Sequence, residues 1–329
     1  MSIGYARPTA DCSQPRITSY KSRAAILSGV LVAAFSGGAQ LNMRRHILIA
    51  AVALFAASHT AWADGMDRKG GVMDSYYGPV YSHKIFMGGE TARDSWETYL
   101  GATWALNRNL AREGVLFRVM GSYGQYEYTE VCPPPQVCSY GRDPVSPDRF
   151  KGRMWQGDVM VGYQWVRDRF DVALFAGIDH INHDISPDHP VNPVSGSETG
   201  FKVGLDLETH RRTGLPHYFA LEGTYSTAFD TYWLLGRAGV NRGGNIFGVE
   251  GWLLGDATGD AQRLGAFVSF DRQLRTDLLA EISLSVGYQF VNGEEDRICT
   301  SFFGSEGAYA TLNISFAFGD REPRHVPMK

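Results

Sequence analysis

The sequence predicts an all-β fold, a transmembrane antiparallel up-and-down β-barrel of about 12 strands. Three observations predict it: an apolar-polar alternation that recurs along the chain, a secretory leader ahead of it, and long connections confined to every other join. The alternation is plainest from Ala308 to Phe318. There Ala308, Ala310, Leu312, Ile314, Phe316 and Phe318 are apolar, and Tyr309, Thr311, Asn313 and Ser315 stand between them. A strand of this period has one greasy and one polar face. About ten such residues, tilted, cross a bilayer, and a closing aromatic suits the membrane-water interface. This is the strand expected to meet the first one and leave no open edge. Alternation alone also fits a soluble β-sandwich or a lipocalin-like barrel.

Composition sets the frame. The 329 residues are 44% hydrophobic and 12% aromatic, with 38 glycines and a formal charge of -4. Such averages contain no helical membrane span, and barrels hide in them because each strand shows only half of its residues to lipid. The charge gives no case for nucleic acid. Four cysteines are too few for a disulfide scaffold and form no paired Cys-x-x-Cys knuckle.

Taken in order, residues 1–42 carry no sustained pattern and read as a mis-assigned upstream extension, with Met43 the true initiator. Residues 43–63 read as a signal peptide: Met43-Arg44-Arg45-His46 is basic, Ile47 to Ala57 is apolar, and Ala61-Trp62-Ala63 is a small-x-small site. Cleavage is expected between Ala63 and Asp64. Residues 64–75 form a periplasmic lead-in, 76–318 the barrel and 319–329 a tail. Within the barrel, alternating segments fall near 78–89, 95–106, 114–128, 152–166, 169–181, 197–208, 216–228, 230–241, 245–254, 259–271, 277–290 and 306–318. Ile282, Leu284, Val286, Leu312 and Ile314 are assigned to lipid.

The long connections, 129–151, 182–196 and 291–305, all follow odd-numbered segments and so lie at one end. Short joins such as Arg167-Asp168 lie at the other. Short periplasmic turns and long outer loops are the outer-membrane pattern, with both termini periplasmic. Trp104, Trp165 and Phe318 then fall at inner strand ends, and Tyr225, Tyr232 and Phe290 at outer ends, as two interfacial girdles.

Candidate sites follow from this placement. Arg118, Asp158, Lys202, Asp206, Glu222, Arg237, Glu250 and Glu281 lie on inward faces and line the lumen, where charges of both signs either pair across it or leave a narrow polar path. Cys132 and Cys138 share the longest loop in an oxidising compartment and are expected to form a disulfide, whose small ring contributes only roughly 2 kcal/mol. Cys299 has no partner in a chain starting at Asp64. Acids at Asp143, Asp148, Asp184, Asp188, Glu294, Glu295 and Asp296 could bridge divalent cations to lipopolysaccharide, but read rather as solvated loop residues. His180, His183 and His189 lie among Asp179, Asp184, Ser186 and Asp188, a set that a barrel-embedded hydrolase could use. Pro187, Pro190 and Pro193 mark loop instead, and no Gly-x-Ser-x-Gly elbow is present. No catalytic, metal or cofactor site is assigned.

Several segments carry a resemblance in order and spacing: Leu100-Gly-Ala-Thr-Trp-Ala-Leu-Asn107, Gly162-Tyr-Gln-Trp165, Ile185-Ser-Pro-Asp-His-Pro190, Ser197-Glu-Thr-Gly-Phe-Lys202, Glu222-Gly-Thr-Tyr-Ser-Thr-Ala-Phe229, and Ala261-Gln-Arg-Leu-Gly265. From about Tyr81 to Phe318 the chain resembles the cellulose biosynthesis protein BcsS family of alphaproteobacteria. The resemblance implies an outer-membrane accessory to cellulose biosynthesis and secretion, non-catalytic, with outer-membrane lipid, cellulose and other cellulose-secretion proteins as partners and no nucleic acid. A general porin or structural barrel is the alternative, and a barrel-embedded lipid hydrolase a remote one. An aromatic track along the lumen would speak for glucan passage; an interior crossed by ion pairs would speak for a structural barrel.

Overall fold

The computed structural model describes residues 80–130, 148–189, 192–209, 216–242, 245–292 and 305–320. The expected leader with its Ala63/Asp64 cleavage site, the Cys132 and Cys138 pair, Cys299, the loop acids Asp143, Glu294, Glu295 and Asp296 and the tail beyond residue 320 lie outside the described residues.

Twelve strands run in sequence order: β1 (Val80–Ala92), β2 (Ser95–Ala105), β3 (Gly114–Glu130), β4 (Asp148–Val166), β5 (Phe170–Ser186), β6 (Gly196–Thr209), β7 (His217–Ser226), β8 (Tyr232–Arg242), β9 (Asn245–Gly255), β10 (Asp260–Arg275), β11 (Leu278–Asn292) and β12 (Gly307–Asp320). Each pairs antiparallel with its sequence neighbours, and β12 returns to β1 to close the barrel, with Ile85 opposite Phe316 and Met87 opposite Ile314. Closure matters because lipid supplies no hydrogen-bond partner to an open strand edge.

The two faces separate by the period of two. Outward positions carry Val159, Val161, Ile178, Phe247, Val249, Leu264, Ile282, Leu284, Val286 and Leu312, all exposed. Inward positions carry the charged and hydroxylated side chains. Glycine makes the interior crossable at two places. A Cβ on Gly88 would stand 2.4 Å from the Tyr99 hydroxyl, and one on Gly265 would stand 2.3 Å from that of Tyr309. Through the room left there Tyr99 reaches Asn313 of β12, two strands away, and Tyr309 reaches Glu250 of β9, three strands away.

Two features differ from expectation. The strands next to the long outer joins run further than 128, 152 and 181, because Ile181, His183 and Ile185 keep the inward alternation and fill the upper barrel. Pro187, with no N–H for a ladder, follows the last residue of β5. At the inner end the β2–β3 join, residues 106–113, is longer than a tight turn. Asn107 Oδ1 accepts from the Asn109 N–H at 3.0 Å and Asn109 Oδ1 from the Ala111 N–H at 2.9 Å, two side-chain turns that hold it compact.

Candidate functional site in the barrel lumen

The lumen is built in three levels, and each traces to inward positions of particular strands. In the middle level, Arg118 of β3 reaches Asp206 of β6, and Arg263 of β10 binds Glu90 of β1 through two guanidinium nitrogens at 2.7 and 2.9 Å. Both pairs join strands three apart around the barrel, so they run as chords across the interior. Lys202 Nζ stands 2.6 Å from Asp158 Oδ2, and Arg237 Nε donates to Glu250 Oε2 at 2.9 Å. Glu250 also accepts from Tyr309 Oη at 2.9 Å and from Trp252 Nε1 at 3.0 Å. Asp179 accepts from Ser226 Oγ at 2.7 Å, and Tyr99 donates to Asn313 of β12.

Three inward aromatic rings carry a guanidinium over one face. The Arg118 guanidinium lies 3.8 Å over the Phe175 ring, that of Arg237 4.9 Å over Phe267 and that of Arg263 5.2 Å over Tyr309. A sugar ring needs such a face free for stacking. Here each cation covers a ring and is itself held by a carboxylate.

At the outer end Tyr126, Tyr128, Phe150, Met154, Ile181, Ile185, Val194, Ala228 and Phe229 form a buried cluster. Phe150 stacks on His189 with centroids 4.4 Å apart, Tyr128 Oη shares a 2.7 Å hydrogen bond with His189 Nδ1, and Tyr126 Oη shares one of 3.1 Å with His183 Nδ1. At the inner end the β2–β3 join folds under the barrel. Its Leu110 packs against the cluster of Ala105, Leu116, Met160, Ala173 and Phe175. The Leu110 N–H donates to the Tyr81 carbonyl at 2.7 Å, and Gln164 Nε2 donates to the Leu110 carbonyl at 2.8 Å.

All eight charges read as lumen residues occupy inward positions. Arg118 with Asp206, Asp158 with Lys202, and Arg237 with Glu250 are brought together as ion pairs. Glu222 stands opposite Asp206 in the β6–β7 ladder, and Glu281 accepts from Ser269 Oγ at 3.3 Å. Arg263, Glu90, Glu97 and Asp179 belong to the same interior and were missed by sequence reading, although the alternation Ala261, Arg263, Gly265, Phe267 was a sufficient signal for the first. The histidines do not converge. His183 and His189 sit in the outer cluster, while His180 faces outward with its Nδ1 2.7 Å from Thr199 Oγ1. Among the described residues no group of three His, Cys, Asp or Glu side chains is placed to hold a metal ion.

A closed antiparallel barrel with an apolar outside and a charge-paired inside has the build of a transmembrane β-barrel. The chain belongs to the cellulose biosynthesis protein BcsS family, whose family model matches residues 84–318. A search of curated proteins finds no match to it. Among solved structures it is similar to a KdgM porin at 8% identity and a TM-score of 0.35, covering 71% of this chain and 99% of that one. It is also similar to LpxR from Salmonella typhimurium at 12% identity and a TM-score of 0.36, covering 71% and 100%. Outer membrane phospholipase A from Escherichia coli matches at 12% identity and a TM-score of 0.29, covering 74% and 99%.

Proposed function

We propose that this barrel is a non-catalytic accessory of cellulose biosynthesis that works from the outer membrane as an anchor for the secretion assembly, and that the glucan does not pass through its lumen. The family membership supports the pathway. The observation that carries the choice of accessory over conduit is the pair of chords, Arg118 to Asp206 and Arg263 to Glu90, whose guanidinium groups lie over the Phe175 and Tyr309 rings. A glucan moving through would have to break both pairs and strip those rings. Asp206 keeps 35% of its side chain exposed inside the barrel, so water reaches this level. Export follows from the leader, with cleavage after Ala63.

The test uses the gene's own host. Deletion is expected to change the amount or surface attachment of cellulose, scored by staining of cells and medium. Complementation with Arg118→Ala/Arg263→Ala, which removes both chords, is expected to restore the wild-type phenotype wherever heat-modifiable migration shows the variant folded. Unchanged cellulose on deletion would leave only the general-barrel reading. A cellulose yield raised by the double variant would favour passage through the lumen.

A further inference from the structure

On the outer wall of β4 the apolar positions end abruptly. From Trp165 upward the outward residues are Tyr163, Val161 and Val159, then Gly157 and Trp155. At ~3.3 Å per residue and a tilt of roughly 40°, Trp155 and Trp165 are about 25 Å apart along the membrane normal, the height of a barrel's apolar band. Trp155 stands in a belt with Tyr123, which faces it across the β3–β4 ladder, and with Trp96, whose ring packs 5.7 Å from that of Tyr123. The next three outward residues of β4 are Arg153, Lys151 and Arg149, at about 5, 10 and 15 Å above the belt by the same geometry.

We propose that this face is a binding surface for the phosphates of lipopolysaccharide, with Arg153 at lipid A depth and Lys151 and Arg149 at the inner core. The proposal rests on the outer-membrane orientation given above, in which this end of the barrel is external. Two observations favour a phosphorylated glycolipid over a merely solvated face. First, the cations follow one another along β4, slanting up and away from an aromatic belt, starting at the depth where acyl chains give way to phosphorylated sugars. Second, their protein partners leave donors free for exchange. Glu127 bridges Arg149 and Lys151, the latter at 2.9 Å, while those two side chains remain 67% and 69% exposed. Exposed pairs of this kind hold weakly, so phosphate oxygens can displace Glu127. Asp184, opposite Arg153 in the β4–β5 ladder, brings the patch to one net positive charge, counting three cations against Glu127 and Asp184. Next to it, level with the belt, Asn182 Nδ2 donates to Ser197 Oγ at 2.5 Å.

The experiment extracts the full chain from native outer membranes in mild detergent and measures lipopolysaccharide per folded barrel, with folding scored by heat-modifiable migration on gels. The wild type and a control reversed at the opposite rim, Arg169→Glu/Arg272→Glu, are expected to carry equal amounts. Arg149→Glu/Lys151→Glu/Arg153→Glu is expected to carry roughly tenfold less, and the corresponding glutamine variant, which keeps length and drops charge, to fall in the same direction should the reversal fail to fold. A folded glutamine or glutamate variant with wild-type lipopolysaccharide overturns the site, as does an equal loss in the rim control. A wild-type barrel in the outer membrane that carries none overturns the site alone. A wild-type chain found in another compartment overturns the site and the proposed function together.

Discussion

Lys202 and Asp158 show how a single charge is kept inside a barrel. Their side chains retain 3% and 2% exposure, so both have lost their hydration and each depends on the other. Such a pair adds little net stability over apolar residues of the same size, but breaking it strands a buried charge. Lys202→Met is therefore expected to destabilise the barrel by about 3–5 kcal/mol in urea unfolding from phospholipid vesicles. Lys202→Met/Asp158→Leu should recover most of the loss; a double variant as unstable as the single one would show that the pairing is not the cause. The alternation of β4 and β6 placed both residues inward, while their meeting depended on β5 holding the two strands at the right separation.

At the scale of elements, joins add their side chains to the packing that the strands build at both ends of the lumen. The inner join presents Leu110 upward. The outer joins present Val194 and Phe229 to the aromatic cluster, with Phe229 in the left-handed region at φ 50°. The Phe229 carbonyl accepts from the Ala257 N–H at 2.8 Å, which ties it to the β9–β10 turn. In that turn Asp256 is buried and accepts from the Thr258 N–H at 2.6 Å and the Gly259 N–H at 3.2 Å. Burial pushes its carboxyl up to about 6, the hydrogen bonds only partly opposing it. A folded-state value above the unfolded one means that the folded state holds the proton more tightly. The stabilisation is thus complete below about pH 4 and is lost as the pH rises through 6. Asp256→Asn should flatten the pH dependence of stability between those values, removing a change on the order of 2 kcal/mol, as read from urea midpoints across the range. A slope equal to wild type would exclude Asp256 as its source.

For the whole molecule, the governing fact is that the barrel has no edge. The β1–β12 seam makes every strand an interior strand, and the cost of a wrong residue then depends on which side of the wall it faces. Leu284 lies mid-strand on the lipid face, 46% exposed, opposite Leu312 and Val268. Leu284→Arg is expected to cost about 2–4 kcal/mol and to lower the folded fraction in membranes, measured by heat-modifiable migration. A variant that folds as well as wild type would argue that this face does not meet lipid.

The fold was legible because a barrel is written locally. The period of two in Ala308 to Phe318 or in Leu278 to Phe290 states which side chains face out, and loop lengths at alternate joins orient the strands. The inward set containing Arg118, Asp158, Lys202, Asp206, Glu222, Arg237, Glu250 and Glu281 was readable for the same reason. What the sequence could not state is which of these meet. Arg118 and Asp206 are separated by 88 residues and Arg263 and Glu90 by 173. Only the tilt and circumference of the closed sheet set those distances across the lumen. The covering of Phe175, Phe267 and Tyr309 by arginines, and the tucking of Leu110 under the barrel, were decided by that same closure, since contacts across a lumen follow no period along the chain.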